Sequence, residues 1–114
     1  MYYIYMVRCA DDSIYTGIAA DLARRLREHT EKSPAAAKYT RSRAVAALEC
    51  AWTAADRSAA SRLESAIKRL NREQKLRLIA EPGLLAALLP QLAAQDYTHL
   101  PGLTLESCVK GDTP

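Results

Sequence analysis

The sequence predicts an α+β fold, in which a small three-stranded antiparallel sheet is flanked by helices and followed by a C-terminal helical extension. Three observations lead to it. Two β-rich runs near the start are joined by a turn too short for a crossover, so the strands must be antiparallel. Apolar residues later recur at helical spacing. The chain of 114 residues has the length of one domain and can bury a core without disulfides or metals.

The first two strands form a predicted hairpin. Residues 2–9 are apolar at both alternating sets of positions, which is typical of a strand covered on both faces. Residues 10–13 (Ala-Asp-Asp-Ser) are a turn signal, and residues 14–18 are a second β-rich run.

The length of the hairpin loop decides which side chains share a face. With an odd number of loop residues, such as residues 10–12, Tyr5 lies opposite Gly17 and Tyr15 is its diagonal neighbour on the same face. Gly17 has no side chain and leaves room there for a phosphate. A loop of two or four residues would instead place the two tyrosine rings on opposite faces.

Capping residues and helical spacing define the next elements. Asp21 caps a helix that runs to about Thr30. Residues 45–53 form the third strand. Asp56 or Ser58 caps a second long helix, whose apolar residues recur with helical periodicity.

The end of the chain differs from its body. A further helix covers residues 72–80. Residues 84–92 form a Leu/Ala-rich amphipathic stretch that we expect to dock on the domain, and little regular structure is expected from Asp96 onward. We therefore divide the chain into a compact domain over 1–82 and, over 83–114, a Leu-rich helical extension with an irregular tail.

Charge is distributed unevenly along the chain. Residues 1–80 hold 15 of the 16 Lys and Arg residues and 9 of the 13 acidic residues, a net charge of +6, whereas residues 81–114 carry a net charge of −3. A basic body suits a polyanionic partner, because each neutralised phosphate releases counterions.

The three cysteines indicate a reducing environment. Cys9, Cys50 and Cys108 are widely spaced and form no CxxC or Cys/His pattern, which argues against structural zinc. The start of the sequence lacks the pattern of a signal peptide, and no apolar run reaches membrane-spanning length. We therefore expect a cytoplasmic protein that does not bind membranes.

Several polar residues follow one another in a suggestive order. The strands carry Tyr3-Ile4-Tyr5 and Tyr15-Thr16-Gly17. Arg25 and His29 are four residues apart on the first predicted helix and therefore share a face. Glu64 lies at the rim of the buried stripe of a later helix. Each feature alone is weak, but the ordered set is specific.

This ordered set resembles the GIY-YIG nuclease superfamily. The segment 37–41 (Ala-Lys-Tyr-Thr-Arg) further resembles its small stand-alone bacterial members, the YhbQ-like group. The resemblance covers roughly residues 2–80. It departs from the family motifs at Tyr3, which replaces a glycine, and at Thr16, which replaces an isoleucine.

The resemblance implies a Mg²⁺- or Mn²⁺-dependent endonuclease-like domain that hydrolyses DNA phosphodiester bonds with one divalent ion, in repair or recombination. The first tyrosine helps to deprotonate water, the second tyrosine and the arginine hold the phosphate, the histidine assists proton transfer, and the glutamate binds the metal. In that order, these roles fall on Tyr5, Tyr15, Arg25, His29 and Glu64. A free tyrosine is a poor base, and we expect Arg25 and the metal to lower the pKa of Tyr5.

The predicted partner is DNA or another nucleic acid, held through its backbone by basic residues around the site. These residues are Arg24, Arg27, Lys32, Lys38, Arg41 and Arg43. Two other classes of function remain open: a catalytically weak nucleic-acid-binding module on the same fold, and a protein-interaction adaptor that uses the Leu-rich stretch.

Overall fold

The computed structural model describes residues 1–31 and 44–109. Its helices and strands, in chain order, are β1 (Tyr2–Cys9), β2 (Ile14–Ala19), α1 (Leu22–Thr30), β3 (Val45–Ala54), α2 (Arg57–Lys68), α3 (Arg72–Ala80), α4 (Leu85–Leu88), β4 (Tyr97–His99) and α5 (Leu105–Val109). Short 3-10 turns cover Pro82–Leu84 and Ala94–Asp96.

The sheet is antiparallel throughout, with strand order β2-β1-β3-β4. The α+β class is therefore confirmed, but the expected strand number of three was wrong, since four strands occur within the described residues. The additional strand, β4, pairs with Trp52–Ala54 at the end of β3. Three residues are too few to show the alternation by which strands are recognised in a sequence.

The hairpin has the odd loop that places the two tyrosines on one face. In its register Tyr5 pairs with Gly17 and Val7 pairs with Tyr15, as predicted for this loop. Asp12 closes the turn with a positive φ of 71°, a conformation that aspartate tolerates better than most residues. Its backbone N–H donates to the carbonyl of Cys9 over 2.9 Å.

The sheet separates two groups of buried residues. On one face Ile4, Met6 and Trp52 pack with α2, α3 and α4. On the other face, Tyr5 and Val7 pack with α1 and α5. The side chains predicted to do chemistry therefore lie largely between α1 and the β1–β2 hairpin.

Side-chain caps fix where the long helices begin. The Asp21 carboxylate accepts the N–H of Arg24 at the start of α1, and Asp56 caps α2 in the same way through Ala59. These interactions satisfy N–H groups that have no partner within the helix. Asp56 rather than Ser58 is thus the cap of α2.

The C-terminal region is more regular than the sequence predicted. Leu85 and Leu89 are buried, which confirms that the Leu-rich stretch docks on the domain. The expectation of an irregular tail from Asp96 was wrong up to Val109, since β4 joins the sheet and α5 packs on α1. Tyr97 explains part of this order, because its buried hydroxyl donates to the carbonyl of Ala59 over 2.7 Å.

No helix in residues 1–31 or 44–109 is long and apolar enough to cross a membrane.

Candidate active site

The β1–β2 hairpin places two tyrosine rings side by side. The ring centroids of Tyr5 and Tyr15 are 6.4 Å apart. Gly17 lies opposite Tyr5, and a Cβ built there would come within 2.5 Å of the Tyr5 hydroxyl and 3.1 Å of the Tyr15 ring. A glycine is therefore required for the Tyr5 hydroxyl to occupy its position. In the structure the space is filled by that hydroxyl, rather than left open for a phosphate as the sequence suggested.

Helix α1 brings a histidine to the same place. Leu22 and Leu26 are buried and hold α1 on the sheet, and His29 lies one turn further along that buried side. Nε2 of His29 is 2.7 Å from the Tyr5 hydroxyl. The His29 ring also stands edge-on to Tyr15, with centroids 5.7 Å apart.

The histidine of this pair is neutral at physiological pH. Burial lowers the pKa of His29 from its ordinary 6.5 to about 4, with a smaller contribution from the charge of Arg25 and opposition from Glu28. A neutral imidazole has one ring nitrogen free to accept a proton. We assign that nitrogen as Nε2, because it faces the Tyr5 hydroxyl, which then donates the hydrogen bond.

Two opposing effects act on the pKa of Tyr5, namely the expected effect of its cationic neighbour Arg25 and the effect of burial. Arg25 lowers the pKa of Tyr5 through its charge and a hydrogen bond, as predicted. Burial acts more strongly in the other direction, and Tyr15 adds to it, so that the pKa of Tyr5 lies well above its ordinary value of 10. Apart from any contribution of a metal ion, the net direction is therefore upward, since desolvation disfavours the phenolate.

Arg25 is half-buried and lies beside the Tyr5–His29 pair. Its Nη1 is 3.0 Å from Oε1 of Glu28, and its guanidinium is also within hydrogen-bonding reach of the Tyr5 oxygen. Arginine only donates. Any hydrogen bond between Arg25 and Tyr5 is therefore donated by the guanidinium, which leaves the Tyr5 hydroxyl as the donor to His29.

Helix α2 contributes an ion pair on the Tyr15 side. Glu64 Oε2 is 3.3 Å from Nζ of Lys68, and Nζ lies 5.7 Å from the centroid of the Tyr15 ring. Glu64 is also near enough to raise the pKa of Tyr5. The contact of Lys68 with Tyr15 depends on how α2 packs against β2, which no local pattern encodes.

The structure thus brings together the five residues to which the resemblance assigns chemistry. Residues 1–77 match the sequence model of a family described as the GIY-YIG catalytic domain. The chain belongs to the GIY-YIG family. It is similar to the UPF0213 protein YhbQ of Salmonella typhimurium, with 42% identity over 91 residues, covering 80% of this chain and 89% of YhbQ.

Two further proteins are similar to this GIY-YIG chain. A UPF0213 protein of Fusobacterium nucleatum is 44% identical over 81 residues, covering 71% of this chain and 79% of the relative. The solution structure of the UPF0213 protein BH0048 from Bacillus halodurans has 33% identity and a TM-score of 0.47, covering 82% of this chain and 98% of that one. The 42% identity to YhbQ over 80% of this chain shows that it belongs to the YhbQ-like group, as the sequence predicted.

Membership of the GIY-YIG family indicates a nuclease-like, hydrolytic function. It also implies in general that nucleic acid is bound and that a divalent metal is used. The names of the UPF0213 relatives add no specific activity.

The donor set of this GIY-YIG site fits a Mg²⁺ ion that takes most of its ligands from water and substrate phosphate. Mg²⁺ keeps several waters and is commonly bound by one or two carboxylates together with substrate phosphate. Glu64 supplies one carboxylate, and the described residues contain no group of three or more His, Cys, Asp or Glu side chains that could form a protein cage. The site therefore suits an ion completed by water and phosphate.

The predicted backbone-binding residues are only partly described. Arg24 is exposed on α1, with its Nε 3.5 Å from Glu28, and Arg27 is half-buried on the same helix. The other four predicted residues lie outside the described part of the chain: Lys32, Lys38, Arg41 and Arg43.

A mainly apolar groove of about 880 Å³ lies away from this cluster, at the N-terminal end of α1. Its lining includes Tyr3, Leu22 and Cys108 and none of the five predicted catalytic or metal-binding residues. We locate the candidate site by its chemistry and not by cavity volume, because a phosphodiester backbone is recognised at open, polar surfaces.

Proposed function

We propose that this GIY-YIG protein is a Mg²⁺- or Mn²⁺-dependent endonuclease-like domain that hydrolyses DNA phosphodiester bonds in repair or recombination. Residues 1–82 form the nuclease unit and residues 83–114 its extension. The proposal depends on one observation above all, the 2.7 Å contact between the Tyr5 hydroxyl and a neutral His29.

The Tyr5–His29 pair supplies a route for a proton. As the attacking water gives a proton to the Tyr5 oxygen, the phenol passes its own proton to Nε2 of His29. A concerted transfer of this kind avoids a free phenolate, which the raised pKa of Tyr5 makes costly. The resulting imidazolium is stabilised by Glu28, whose charge raises the pKa of His29.

Arg25 and Tyr15 lie where the scissile phosphate would be held. A phosphodiester gains negative charge as it is attacked, and a guanidinium next to it stabilises that charge. Arg25 already donates to the carboxylate of Glu28 at 3.0 Å, which is the geometry with which it would meet a phosphate oxygen. Tyr15 is half-buried beside it and has a hydroxyl to donate.

Glu64 is the residue that would hold the metal. A Mg²⁺ ion bound there would supply positive charge for the phosphate and the leaving oxygen. Glu64 is half-buried, and its present partner Lys68 has a side chain that is 50% exposed. Lys68 can therefore turn away into solvent, with the loss of its contact with the Tyr15 ring.

The alternative function is a catalytically weak nucleic-acid-binding module on the same fold. One observation favours it: Tyr5 and His29 have no exposed surface. Water reaches the buried Tyr5 oxygen only if neighbouring side chains move apart. A protein in which they stay closed would bind phosphate at the rim without hydrolysing it.

The nicking of supercoiled plasmid distinguishes the two functions. Wild-type protein with Mg²⁺ is expected to convert supercoiled plasmid to the open circle, and Tyr5→Phe and Glu64→Ala are each expected to reduce the rate at least about 100-fold. Plasmid binding without nicking by the wild type would leave the binding module as the function. Equal nicking by wild type and Glu64→Ala would point to a contaminating nuclease.

A further inference from the structure

The outward side of α2 has an unusual composition. Its buried stripe, which includes Leu63 and Ile67, packs on the sheet. At 3.6 residues per turn the remaining positions include a sector of about 100° that holds only serine and arginine. We call this sector the α2 serine–arginine face, and it consists of Ser58, Ser61, Arg62 and Ser65 together with Arg69, the residue that caps the end of α2.

This face lines a groove of about 420 Å³. The opposite wall is formed by Gln91 and Leu92 from the C-terminal extension, which docks there through its leucines. The lining offers hydroxyl, guanidinium and amide groups, all of which donate hydrogen bonds. None of the residues found to line it carries a carboxylate.

The arginines of this face are not neutralised by the protein. Residues 57–69 carry four cations and one carboxylate, and that carboxylate, Glu64, pairs with Lys68 at 3.3 Å. Within residues 1–31 and 44–109, neither Arg62 nor Arg69 forms an ion pair. Arg62 donates instead to Oγ of Ser58 over 2.9 Å. A groove with two guanidiniums and no anion favours an anionic ligand.

We propose that the α2 serine–arginine face binds the phosphodiester backbone of the nucleic acid, beyond the phosphate that is cleaved. Arginine and serine are typical backbone-binding residues, and neither needs to read a base for this purpose. The location agrees with this ligand, because the adjacent flank of the same helix carries Glu64 and Lys68 at the candidate active site. A strand that leaves Tyr15 across Lys68 continues directly onto this face.

This inference extends the proposed function and can fail separately from it. The decisive variant is Ser65→Glu, which places a negative charge in the groove. Ser65 is exposed, and a glutamate four residues before Arg69 supports the helix, so that folding is preserved. Ala80→Glu on α3 is the control, since it adds the same charge at an exposed position of another helix.

Fluorescence anisotropy with a labelled duplex DNA, at about 50 to 200 mM salt, measures the effect. Ser65→Glu is expected to bind about tenfold more weakly at the low-salt end and to approach wild type as salt rises. Ser65→Gln, which keeps the bulk without the charge, should lose less affinity. Ala80→Glu is expected to stay within about twofold of wild type.

Arg69→Gln gives an independent measurement. The loss of one phosphate contact should reduce the slope of log K against log salt by about one. Arg77→Gln on α3 removes the same charge elsewhere and should leave that slope nearly unchanged. Equal slopes for the two variants would overturn the proposal.

Substrates of different size separate this inference from the proposed function. For Ser65→Glu, kcat/KM for a long duplex should fall relative to kcat/KM for bis(p-nitrophenyl) phosphate, a diester too small to extend from the active site to the α2 serine–arginine face. If both substrates are affected equally, the residue acts through the active site and the proposal is wrong. If the wild type nicks plasmid and Ser65→Glu binds DNA as Ala80→Glu does, only the α2 face fails. If the wild type neither binds nor cleaves DNA, the proposed function fails with it.

Discussion

The Tyr5 hydroxyl lies 2.7 Å from Nε2 of His29, and neither side chain has exposed surface. These residues are 24 positions apart, so the contact exists only because α1 folds back over the hairpin. The hydrogen bond runs from the phenol to a neutral imidazole, whose own pKa is lowered to about 4. The protonation of His29 is therefore linked to both stability and chemistry.

Acid should destabilise the protein through His29. The pKa of His29 is about 4 in the folded state against an ordinary 6.5, so the unfolded chain takes up the proton first. The stability that this residue contributes is complete above about pH 6.5 and is lost as the pH falls towards 4, by on the order of 2–3 kcal/mol. His29→Gln, which still accepts a hydrogen bond but does not titrate, should show a smaller loss of stability over that range.

Thermal and urea unfolding between about pH 4 and 7 measure this loss. At each pH, the free energy of unfolding of His29→Gln is subtracted from that of the wild type. This subtraction removes the contribution of the acidic residues, which titrate in both proteins. His99→Gln is the control, since His99 is only partly buried beside Trp52. Parallel stability curves for wild type and His29→Gln would contradict the prediction.

Replacement of Gly17 by alanine, the smallest possible substitution, should already destabilise the protein. A Cβ at this position meets the Tyr5 hydroxyl at 2.5 Å and its Cζ at 2.7 Å. Both atoms belong to a fully buried side chain that cannot give way freely. Gly17→Ala is therefore expected to lower the free energy of unfolding by about 1–3 kcal/mol and to disturb the contact between Tyr5 and His29.

Gly83→Ala provides the matched control for this change. A Cβ at Gly83 has no atom within 4 Å, so its effect should stay within about 0.5 kcal/mol. The measurement is denaturant unfolding of both variants. A Gly17→Ala protein as stable as Gly83→Ala would show that the sheet adjusts at β2.

Local sequence signals predicted most of the fold. The alternation in β1, the caps at Asp21 and Asp56 and the helical periodicity of α2 are properties of neighbouring residues, and the structure agrees with each. β4 was missed because a three-residue strand depends on the free edge of β3 and not on its own sequence.

In the candidate site, too, local patterns predicted some features, and tertiary packing determined the others. The sequence left the shared face of Tyr5 and Tyr15 open, because it did not fix the length of the loop, whereas the shared face of Arg25 and His29 followed from helical spacing. The raised pKa of Tyr5 could not be predicted from the sequence, because it depends on the depth of burial produced by several packed elements. Desolvation of this kind is a tertiary effect, which charge spacing in a sequence does not report.

Lys68 should compete with the metal for Glu64. Its ammonium lies 3.3 Å from the Glu64 carboxylate, where a divalent ion would have to bind. A partly exposed pair of this type is worth about 0.2–1 kcal/mol, so Lys68→Gln is expected to lower the half-saturating Mg²⁺ concentration by a factor of about 1.5 to 5. Cleavage rates measured against Mg²⁺ concentration test this.

Lys75→Gln removes the same charge from α3 and serves as control for the general loss of positive potential. Its half-saturating Mg²⁺ concentration should remain near that of the wild type. A Lys68→Gln protein that needs more Mg²⁺ would indicate the opposite role for Lys68, namely that it helps to hold the substrate phosphate that completes the metal site.

Arg25 should not be replaceable by lysine. Its guanidinium reaches the Glu28 carboxylate and the Tyr5 oxygen at the same time, which needs several donors in a fixed plane. A lysine keeps the charge but presents a single ammonium that cannot span both groups. Arg25→Lys is therefore expected to reduce kcat for DNA cleavage by about 10²- to 10³-fold, with a smaller change in KM.

Two further variants serve as controls for this prediction: Arg25→Gln removes the charge at the site, and Arg77→Lys makes the same exchange at another position. If positive charge alone mattered, Arg25→Lys would retain most of the activity that Arg25→Gln loses; if the planar donor geometry matters, the two variants are similarly impaired. Arg77→Lys, an exposed position on α3, should cleave at close to the wild-type rate. Steady-state kinetics on a defined duplex separates the two cases, because loss of geometry lowers kcat whereas loss of simple attraction raises KM.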